Sequence, residues 1–474
     1  MNAKLALPLL LSGCVFSQSA GTFSATGSMI TSRSGHTATL LTNGNVLIAG
    51  GGGFTGEGSA ELYDPSNRTF ARTGEMITPR SGHTATLLAD GKVLITGGMG
   101  VRSLESTSAE LYDPATGAFS STRNMIALGG LAALLGTGKV LVASDLIAQV
   151  YDPESSSFAP AGQYAGPDDI GVWACAPLAD GRVLIAGSVF GSSPARTELF
   201  DPFTGSFTLT GSTVRGSGLL VSPATPLMNG NVLFAGGDDS NTASGYATAE
   251  VYNPATGTFS FTGSMTTSRF DHTQTLLPDG TVLVAGSQRS GSDGGSALSS
   301  AEIYNPSSGT FAATGTMLSA RFDHTATLLP DGTVLIAGGT ANANGGSPGA
   351  RAEIYHPAVL ISAPVLFTIS GGGQQGAIWH ATTGQIASSA NPAVAGEILS
   401  MYTVNLADGG VVPPQAAVGG RLAEVLYFGA APGYPGYYQV NFRVPSGVAP
   451  GQAVPVRLTY IGRPSNAVTI GLIL

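Results

Sequence analysis

The sequence has few charged residues and almost no cysteine. Asp, Glu, Lys and Arg make up 10% of its 474 residues, and the formal net charge is −9. Nucleic acids are bound through clusters of Lys and Arg, so this balance disfavours a nucleic-acid partner. Cys14 and Cys175 are the two cysteines. Because Cys14 lies in a predicted export signal, a disulfide framework in the mature chain is excluded.

Long apolar runs are also missing after the first residues. Lys4 is followed by the apolar run from Leu5 to Leu11 and then by small residues, a pattern typical of a signal peptide and too short for a membrane span. Residues 1–20 are therefore predicted to be an export signal, and the protein to be secreted or attached to the cell envelope. The stretch ending at Cys14 resembles a lipobox, which would give an outer-membrane lipid anchor. Cleavage near Ala20 is the alternative.

What the sequence has in abundance is glycine, with 68 residues, among short apolar runs. These runs belong to a repeat that is marked by an aromatic residue, then Asp, Asn or His, then Pro. Seven copies begin at Tyr63, Tyr112, Tyr151, Phe200, Tyr252, Tyr304 and Tyr355. Each unit contains four short predicted strands, with turn pairs such as Asn43-Gly44 between the first two.

The doubled glycine after an apolar strand, as in Gly50-Gly51, resembles kelch repeats of the bacterial, galactose-oxidase-like kind, as do the later aromatic residue and the unit length. The resemblance implies an all-β, seven-bladed kelch β-propeller over residues 21–358, with its blades around a central channel. Unit seven lacks a fourth strand, and residues 21–27 match the fourth strand of other units. The N-terminal strand is therefore predicted to close the last blade.

Residues 359–474 have a different pattern, in which alternating apolar runs are separated by Gly and Pro. This pattern predicts a small Ig-like β-sandwich. The stretch from Gly433 to Pro445, with Ser465 to Val468, resembles a C-terminal domain of acidobacterial secreted proteins. Its tyrosines could stack on sugars or could pack in the core.

Ligand binding is expected on one face of the propeller. Because strand direction alternates, the loops between second and third strands share a face with the blade connections. Three of these loops are long and variable: 238–248, 287–300 and 340–351. Insertions gathered on one face often mark a binding face, so a glycan or protein ligand is predicted there.

An Arg and His motif recurs near the same face in units one, two, six and seven. Its candidate ligand-binding residues are Arg33, His36, Arg80, His83, Arg269, His272, Arg321 and His324. One interpretation is a half-ring of cations for a carboxylate or sulfated ligand. The other is a buried brace between blades, in which the partners would be the recurrent acids Glu61, Glu110, Glu250, Glu302 and Glu353.

The galactose-oxidase-like resemblance implies a copper site of two Tyr and two His, with one Tyr crosslinked to Cys. Tyr355-His356 is a pair of the right kind, but the repeat already explains Tyr355; Cys175 falls in a core strand and His380 is isolated. The paired carboxylates 168–169 and 238–239 are typical of solvated loops. No metal or other cofactor is predicted. The sequence favours a monomeric binding protein over an enzyme, and a copper oxidase or another carbohydrate-active propeller is the alternative.

Overall fold

A computed structural model describes residues 20–52, 56–100, 106–166, 171–188, 195–215, 223–239, 244–288, 297–341, 349–370, 373–406 and 411–473. Over these ranges the regular structure is entirely strands and turns, which confirms the predicted all-β class. A helix able to cross a membrane is not found in the described part of the chain.

The first thirty strands form seven four-stranded antiparallel sheets and one short two-stranded sheet, β20 with β21. They are β1 (Thr22–Ala25), β2 (Thr37–Leu40), β3 (Val46–Ala49), β4 (Ala60–Asp64), β5 (Thr69–Arg72), β6 (Thr84–Leu87), β7 (Val93–Thr96), β8 (Ala109–Asp113), β9 (Ala118–Ser121), β10 (Leu131–Leu134), β11 (Val140–Ala143), β12 (Ala148–Asp152), β13 (Ser157–Gly162), β14 (Gly171–Pro177), β15 (Val183–Ser188), β16 (Arg196–Asp201), β17 (Ser206–Leu209), β18 (Ala224–Pro226), β19 (Val232–Ala235), β20 (Asp238–Asp239), β21 (Ser244–Gly245), β22 (Ala249–Asn253), β23 (Thr258–Phe261), β24 (Thr273–Leu276), β25 (Val282–Ala285), β26 (Ala301–Asn305), β27 (Thr310–Ala313), β28 (Thr325–Leu328), β29 (Val334–Ala337) and β30 (Ala352–His356).

The seven sheets are the blades of a propeller. Blades one to four take β2–β5, β6–β9, β10–β13 and β14–β17; blade five takes β18, β19, β22 and β23, and blade six takes β24–β27. Blade seven combines β28–β30 with β1. The first strands contact one another around a closed ring, from β2 through β6, β10, β14, β18, β24 and β28 back to β2. The predicted seven-bladed propeller is confirmed.

Adjacent blades bury each other's faces. The second strands, such as β3, are buried along their whole length, because a central strand in a packed blade has apolar contacts on both sides. The cluster between blades seven and one contains Leu335 and Ile354 from one blade and Val46 and Tyr63 from the other. The Tyr63 hydroxyl also hydrogen-bonds Thr26, at the end of the preceding blade, at 2.8 Å. The repeated tyrosine therefore joins neighbouring blades.

The N-terminal strand occupies the outer position of blade seven. β1 is antiparallel to β30, with Thr22 opposite His356 and Phe23 opposite Tyr355. The rings of Phe23 and Tyr355 lie 4.9 Å apart, which matches the Tyr63–Phe70 pair of blade one at 4.8 Å. The two ends of the propeller thus meet in one sheet, and β30 has no exposed edge.

The last ten strands form one curled sheet in the C-terminal domain. They are β31 (Val365–Leu366), β32 (Ile378–His380), β33 (Ala393–Val394), β34 (Ile398–Val404), β35 (Gln415–Val418), β36 (Arg421–Ala430), β37 (Tyr438–Arg443), β38 (Gly451–Tyr460), β39 (Arg463–Pro464) and β40 (Val468–Ile473). The long strand β36 pairs with β37 at one end and with β35 at the other. It therefore joins the part of the sheet that contains β34 and β37 to the part that contains β35, β38 and β40. They close over a core that includes Phe442 and Leu458. The two layers of the predicted sandwich are therefore parts of a single curled sheet.

The C-terminal domain lies against the propeller face that carries the hairpin turns between first and second strands. The Val411 amide donates to the Met228 carbonyl at 3.0 Å, and Arg457 donates to the Thr42 carbonyl. Arg421 forms an ion pair with Glu154 in a neighbouring turn. We call the opposite face, with the second-to-third-strand loops and the blade connections, the loop face.

Candidate functional site

The four motif arginines lie beneath the loop face and are buried. Arg33 is 0% exposed. Its guanidinium donates to the carbonyls of Gly50 and Ser59 at 2.7 and 2.8 Å and to Glu61 at 3.0 Å. Glu61 also accepts the backbone amides of Ile30 and Thr31 at 2.6 and 2.9 Å. This unit, which we call the Arg–Glu brace, fastens the connection entering a blade to that blade's second and third strands.

The same brace occurs in the other three blades that carry the motif. The ion pairs Arg80–Glu110, Arg269–Glu302 and Arg321–Glu353 have lengths of 2.7, 3.0 and 2.6 Å. Each arginine also donates to the first glycine carbonyl after the second strand, as Arg80 does to Gly97 at 2.7 Å. The charges are thus paired and hydrogen-bonded inside the protein, as buried ions require. This geometry fits the brace interpretation, and a direct ligand role for the arginines stays a prediction.

The three remaining blades lack the motif arginine: blade three has lost the glutamate as well, whereas blades four and five keep Glu198 and Glu250. Glu250 accepts the Val214 and Arg215 amides at 2.8 and 2.7 Å. In blade three, where the motif arginine is missing, the strand position of the glutamate is taken by Gln149, which accepts the Ile126 amide at 2.7 Å. In blade four, Glu198 keeps a cationic partner, Arg196, at 3.0 Å. Blade three has therefore lost both charges of the brace, which avoids an unpaired buried carboxylate. Gln149 was the signal in the sequence that could have favoured the brace.

Three of the four motif histidines link neighbouring first strands. The Nε2 atoms of His36, His83 and His324 hydrogen-bond Thr325, Thr37 and Thr273 of the preceding blade at 3.0, 2.9 and 3.0 Å. His272 instead contacts Gln274 in its own blade at 3.2 Å. A Cβ added at Gly50 would lie 2.6 Å from Cε1 of His83, so the first glycine of the doubled pair makes room for the next blade's imidazole.

The histidines are neutral at neutral pH. Burial, reinforced by the neighbouring arginine, lowers the pKa of His36 and that of His83 to about 3. The same two causes lower the pKa of His272 to about 3 and take that of His324 well below its usual value. A cationic half-ring would need charged imidazoles, and in this environment the charged form is disfavoured.

The residue before each motif histidine lies at the channel mouth and has positive φ. Gly35 and Gly82 have φ of 62° and 64°, whereas Asp271 and Asp323 have φ of 51° at the same position. Backbone hydrogen bonds join these four residues in series. The Asp323 amide donates to the Asp271 carbonyl at 3.3 Å, the Gly35 amide to the Asp323 carbonyl at 3.4 Å, and the Gly82 amide to the Gly35 carbonyl at 2.8 Å. Glycine adopts this conformation easily, and aspartate at some cost.

The two aspartates place carboxyl groups at this mouth, where Asp323 is exposed and Asp271 half-buried. Desolvation, and then the charges of Asp323 and Asp238, raise the pKa of Asp271 to about 7. Desolvation also raises the pKa of Asp323. Sequence reasoning missed both residues, although aspartate in place of a repeated glycine was a readable signal.

The tyrosine, histidine and cysteine residues considered for copper are engaged in the fold. The Tyr355 hydroxyl hydrogen-bonds Thr314 at 2.9 Å, and His356 Nε2 bonds Ser24 at 2.8 Å. His380 contacts Glu397 at 2.5 Å and the Asn391 carbonyl at 3.0 Å. Cys175 packs between blades three and four, where burial raises the pKa of its thiol to about 12. Among the residues described, no group of three His, Cys, Asp or Glu could hold a metal ion.

Several sequence predictions concern residues outside the described ranges. Cys14 and the predicted signal, apart from Ala20, lie outside them, as do the carboxylates 168–169 and the centres of the three variable loops. Asp238 and Asp239 form the short strand β20, which pairs with β21. The ends of the 287–300 and 340–351 loops lie on the loop face. There the Gln288 amide donates to the Phe270 carbonyl at 3.0 Å, and the backbones of Phe322 and Thr340 exchange two hydrogen bonds of 3.1 and 2.9 Å.

The sequence matches no family model and no curated protein. Among solved structures it is similar to a novel fungal alcohol oxidase with catalytic diversity among the AA5 family, in complex with copper. The two chains are 16% identical, with a TM-score of 0.61 over 96% of this chain and 100% of the oxidase chain. At this identity the likeness shows the fold alone: a seven-bladed propeller with a C-terminal curled sheet.

Proposed function

We propose that this protein is an exported, non-catalytic binding protein that takes a glycan or protein ligand on the loop face of its propeller. The observation that carries the proposal is the replacement of a repeated glycine by Asp271 and Asp323 at the channel mouth. A residue that only maintained the blade would be glycine here, as it is in blades one and two. Aspartate accepts a left-handed backbone and presents a carboxyl group.

The charge of this mouth favours a ligand that donates hydrogen bonds. The motif arginines are paired with glutamates and the motif histidines are neutral, so among the described residues of the motif the charged groups that a ligand can meet are the carboxyl groups of Asp271 and Asp323. Sugar hydroxyls, and the side chains of a basic protein segment, both donate to carboxylates. We therefore favour these ligands over a sulfated one. The C-terminal domain covers the other face, which leaves the loop face for the ligand.

The test compares the wild-type protein with D271N/D323N on a glycan array and against basic peptides. The double variant should lose the binding that the wild type shows, because the amides carry no negative charge. The matched control is D279N, which changes an exposed aspartate in the hairpin of the same blade on the opposite face; Asn229 fills that position in blade five. Equal binding by wild type and D271N/D323N would contradict the proposal.

The pH dependence of binding provides a second readout of the same site. The folded-state pKa of Asp271 is raised to about 7, so its carboxyl group is protonated below that value and charged above it. Affinity for a donor ligand should rise from pH 6 to pH 8 in the wild type and rise less in D271N, in which Asp323 remains the only titrating carboxyl group of the pair.

A copper oxidase is the second candidate, favoured by the likeness to the fungal alcohol oxidase. The residues present do not fit the metal: Tyr355, His356 and His380 are held by other protein groups, and the Cys175 thiol stays protonated. We therefore derive no oxidation step for this chain.

A further inference from the structure

A row of aromatic and amide side chains crosses the outer surface of the C-terminal domain. Strands β32, β34, β37 and β36 are neighbours in the curled sheet. Alternation directs Met401, Val440 and Phe442 into the core. The alternate positions lie on the other side of the sheet, where Ser400 is 9% exposed, and their register aligns Trp379 with Ser400, Ser400 with Asn441, and Asn441 with Tyr427.

Three aromatic rings contact one another in series, and Tyr427 lies across the sheet from Trp379. Trp379 and Tyr402 lie 5.3 Å apart at 79°, and Tyr402 and Tyr434 lie 6.3 Å apart at 66°. Tyr434 is 62% exposed and Tyr427 is 43% exposed. We call these four residues the aromatic face.

A bulge in β36 and a glycine place Tyr427 on this surface. The register shifts between Val425 and Tyr427, so Val425 faces the core and Tyr427 faces outward, although they are two residues apart with Leu426 between them. A Cβ at Gly429 would lie 2.9 Å from Oη and 3.3 Å from Cζ of Tyr427. The ring therefore lies along its own strand over Gly429, where any other side chain would displace it.

Polar groups lie between the rings. Ser400 donates to the Asn441 side-chain oxygen at 2.8 Å, and the Gln439 amide donates to the same oxygen at 2.9 Å. Asn and Gln side chains both donate and accept hydrogen bonds. The bordering charges, Arg443 and Glu424, neutralise each other in an ion pair of 2.9 Å. The surface is thus aromatic and hydrogen-bonding, and it has no net charge.

We propose that the aromatic face binds an uncharged polysaccharide chain. A sugar ring has an apolar face that packs on an aromatic ring, and its hydroxyls require both donors and acceptors. A protein-binding surface of this size would centre on buried apolar and Arg anchors, whereas amides and a hydroxyl lie at the centre here. From Trp379 to Tyr427 the row crosses three strand spacings, or about 14 Å, which suits an oligosaccharide rather than a single sugar. This proposal does not depend on ligand binding at the loop face.

Affinity gel electrophoresis of the whole protein tests the proposal, with hydroxyethylcellulose, arabinoxylan, mixed-linkage β-glucan and glucomannan as probes. At least one probe should retard the wild-type protein. Y427A/Y434A should weaken that binding about tenfold, or by about 1.4 kcal/mol, because two ring contacts are lost. Y427F/Y434F should retain it, because the ring and not the hydroxyl carries the contact.

Two control variants test whether the retardation depends on the aromatic face itself. F203A removes a phenylalanine that is 80% exposed on the propeller and should leave retardation unchanged. Y427A/Y434A should also reduce retardation when it is introduced into D271N/D323N, a background in which the proposed loop-face site no longer contributes to the comparison. The proposal is overturned if no neutral probe retards the wild type, if Y427A/Y434A binds as the wild type does, or if the tyrosines prove to hold two copies of the chain together in size-exclusion chromatography.

Discussion

At the scale of single residues, burial decides what a charged side chain does. Arg33 lies in the connection that enters a blade, and the sequence alone left it either at a channel mouth or between blades. In the structure its guanidinium is 0% exposed and bonded to Glu61. In blade three both members of the pair are absent and Gln149 stands at the glutamate position, whereas blades four and five lack the motif arginine but keep Glu198 and Glu250. In the four blades that carry the motif, arginine and glutamate stabilise the repeat as a pair.

Replacing Arg33 by alanine should destabilise the fold strongly. Removing one partner of a buried ion pair costs about 3–5 kcal/mol, because the other charge stays buried and unpaired. We expect a large fall in the denaturant midpoint for R33A. R72A is the control, since Arg72 is exposed on an outer strand and its removal should change stability by less than about 0.5 kcal/mol. An R33A protein with wild-type stability and lost ligand binding would instead support the cationic half-ring.

Sequence reasoning located the recurring Arg and His residues but could not choose their role. The choice depends on the depth of the connection beneath the loop face, which tertiary packing sets. The pKa of His83, lowered to about 3, likewise depends on burial and on Arg80 beside it. Asp271 was accessible to sequence reasoning, because it breaks a glycine pattern, yet its raised pKa was not.

At the scale of elements, the repeat was readable because each blade repeats one local pattern. The hairpin pairs, the buried second strand and the Tyr–Phe pair between third and fourth strands are all local in sequence. The curl of the C-terminal sheet was not readable, because it results from the long strand β36, which takes different partners at its two ends. Alternation in the sequence gives the faces of a strand but not its neighbours.

Strand β1 provides the prediction at this scale. Deletion of residues 21–27 should lower the melting temperature sharply, since it exposes the edge of β30 and removes the Phe23–Tyr355 contact. The measurement is a thermal melt by circular dichroism, with and without a synthetic peptide of residues 21–27. The peptide should restore part of the loss, whereas a scrambled peptide should not. An unchanged melting curve after deletion would show that β1 does not close the ring.

At the scale of the whole molecule, the two faces of the propeller differ in what contacts them. The C-terminal domain contacts the hairpin face through Arg421, Arg457 and Val411. The loop face presents the channel mouth with Asp271 and Asp323, and the aromatic face lies on the C-terminal domain itself. The protein thus has two proposed binding surfaces, one on the ring-closed propeller and one on the C-terminal domain.

The central claim, that this propeller binds without oxidative chemistry, is tested most directly by copper content. The purified protein is incubated with excess Cu²⁺ and desalted, and copper per chain is then measured by mass spectrometry, together with hydrogen peroxide release from galactose and primary alcohols. All six histidines of the chain lie in the described residues, and each is hydrogen-bonded within the protein. We therefore predict far less than one copper per chain and no peroxide. Stoichiometric copper with alcohol-dependent peroxide release would contradict the account.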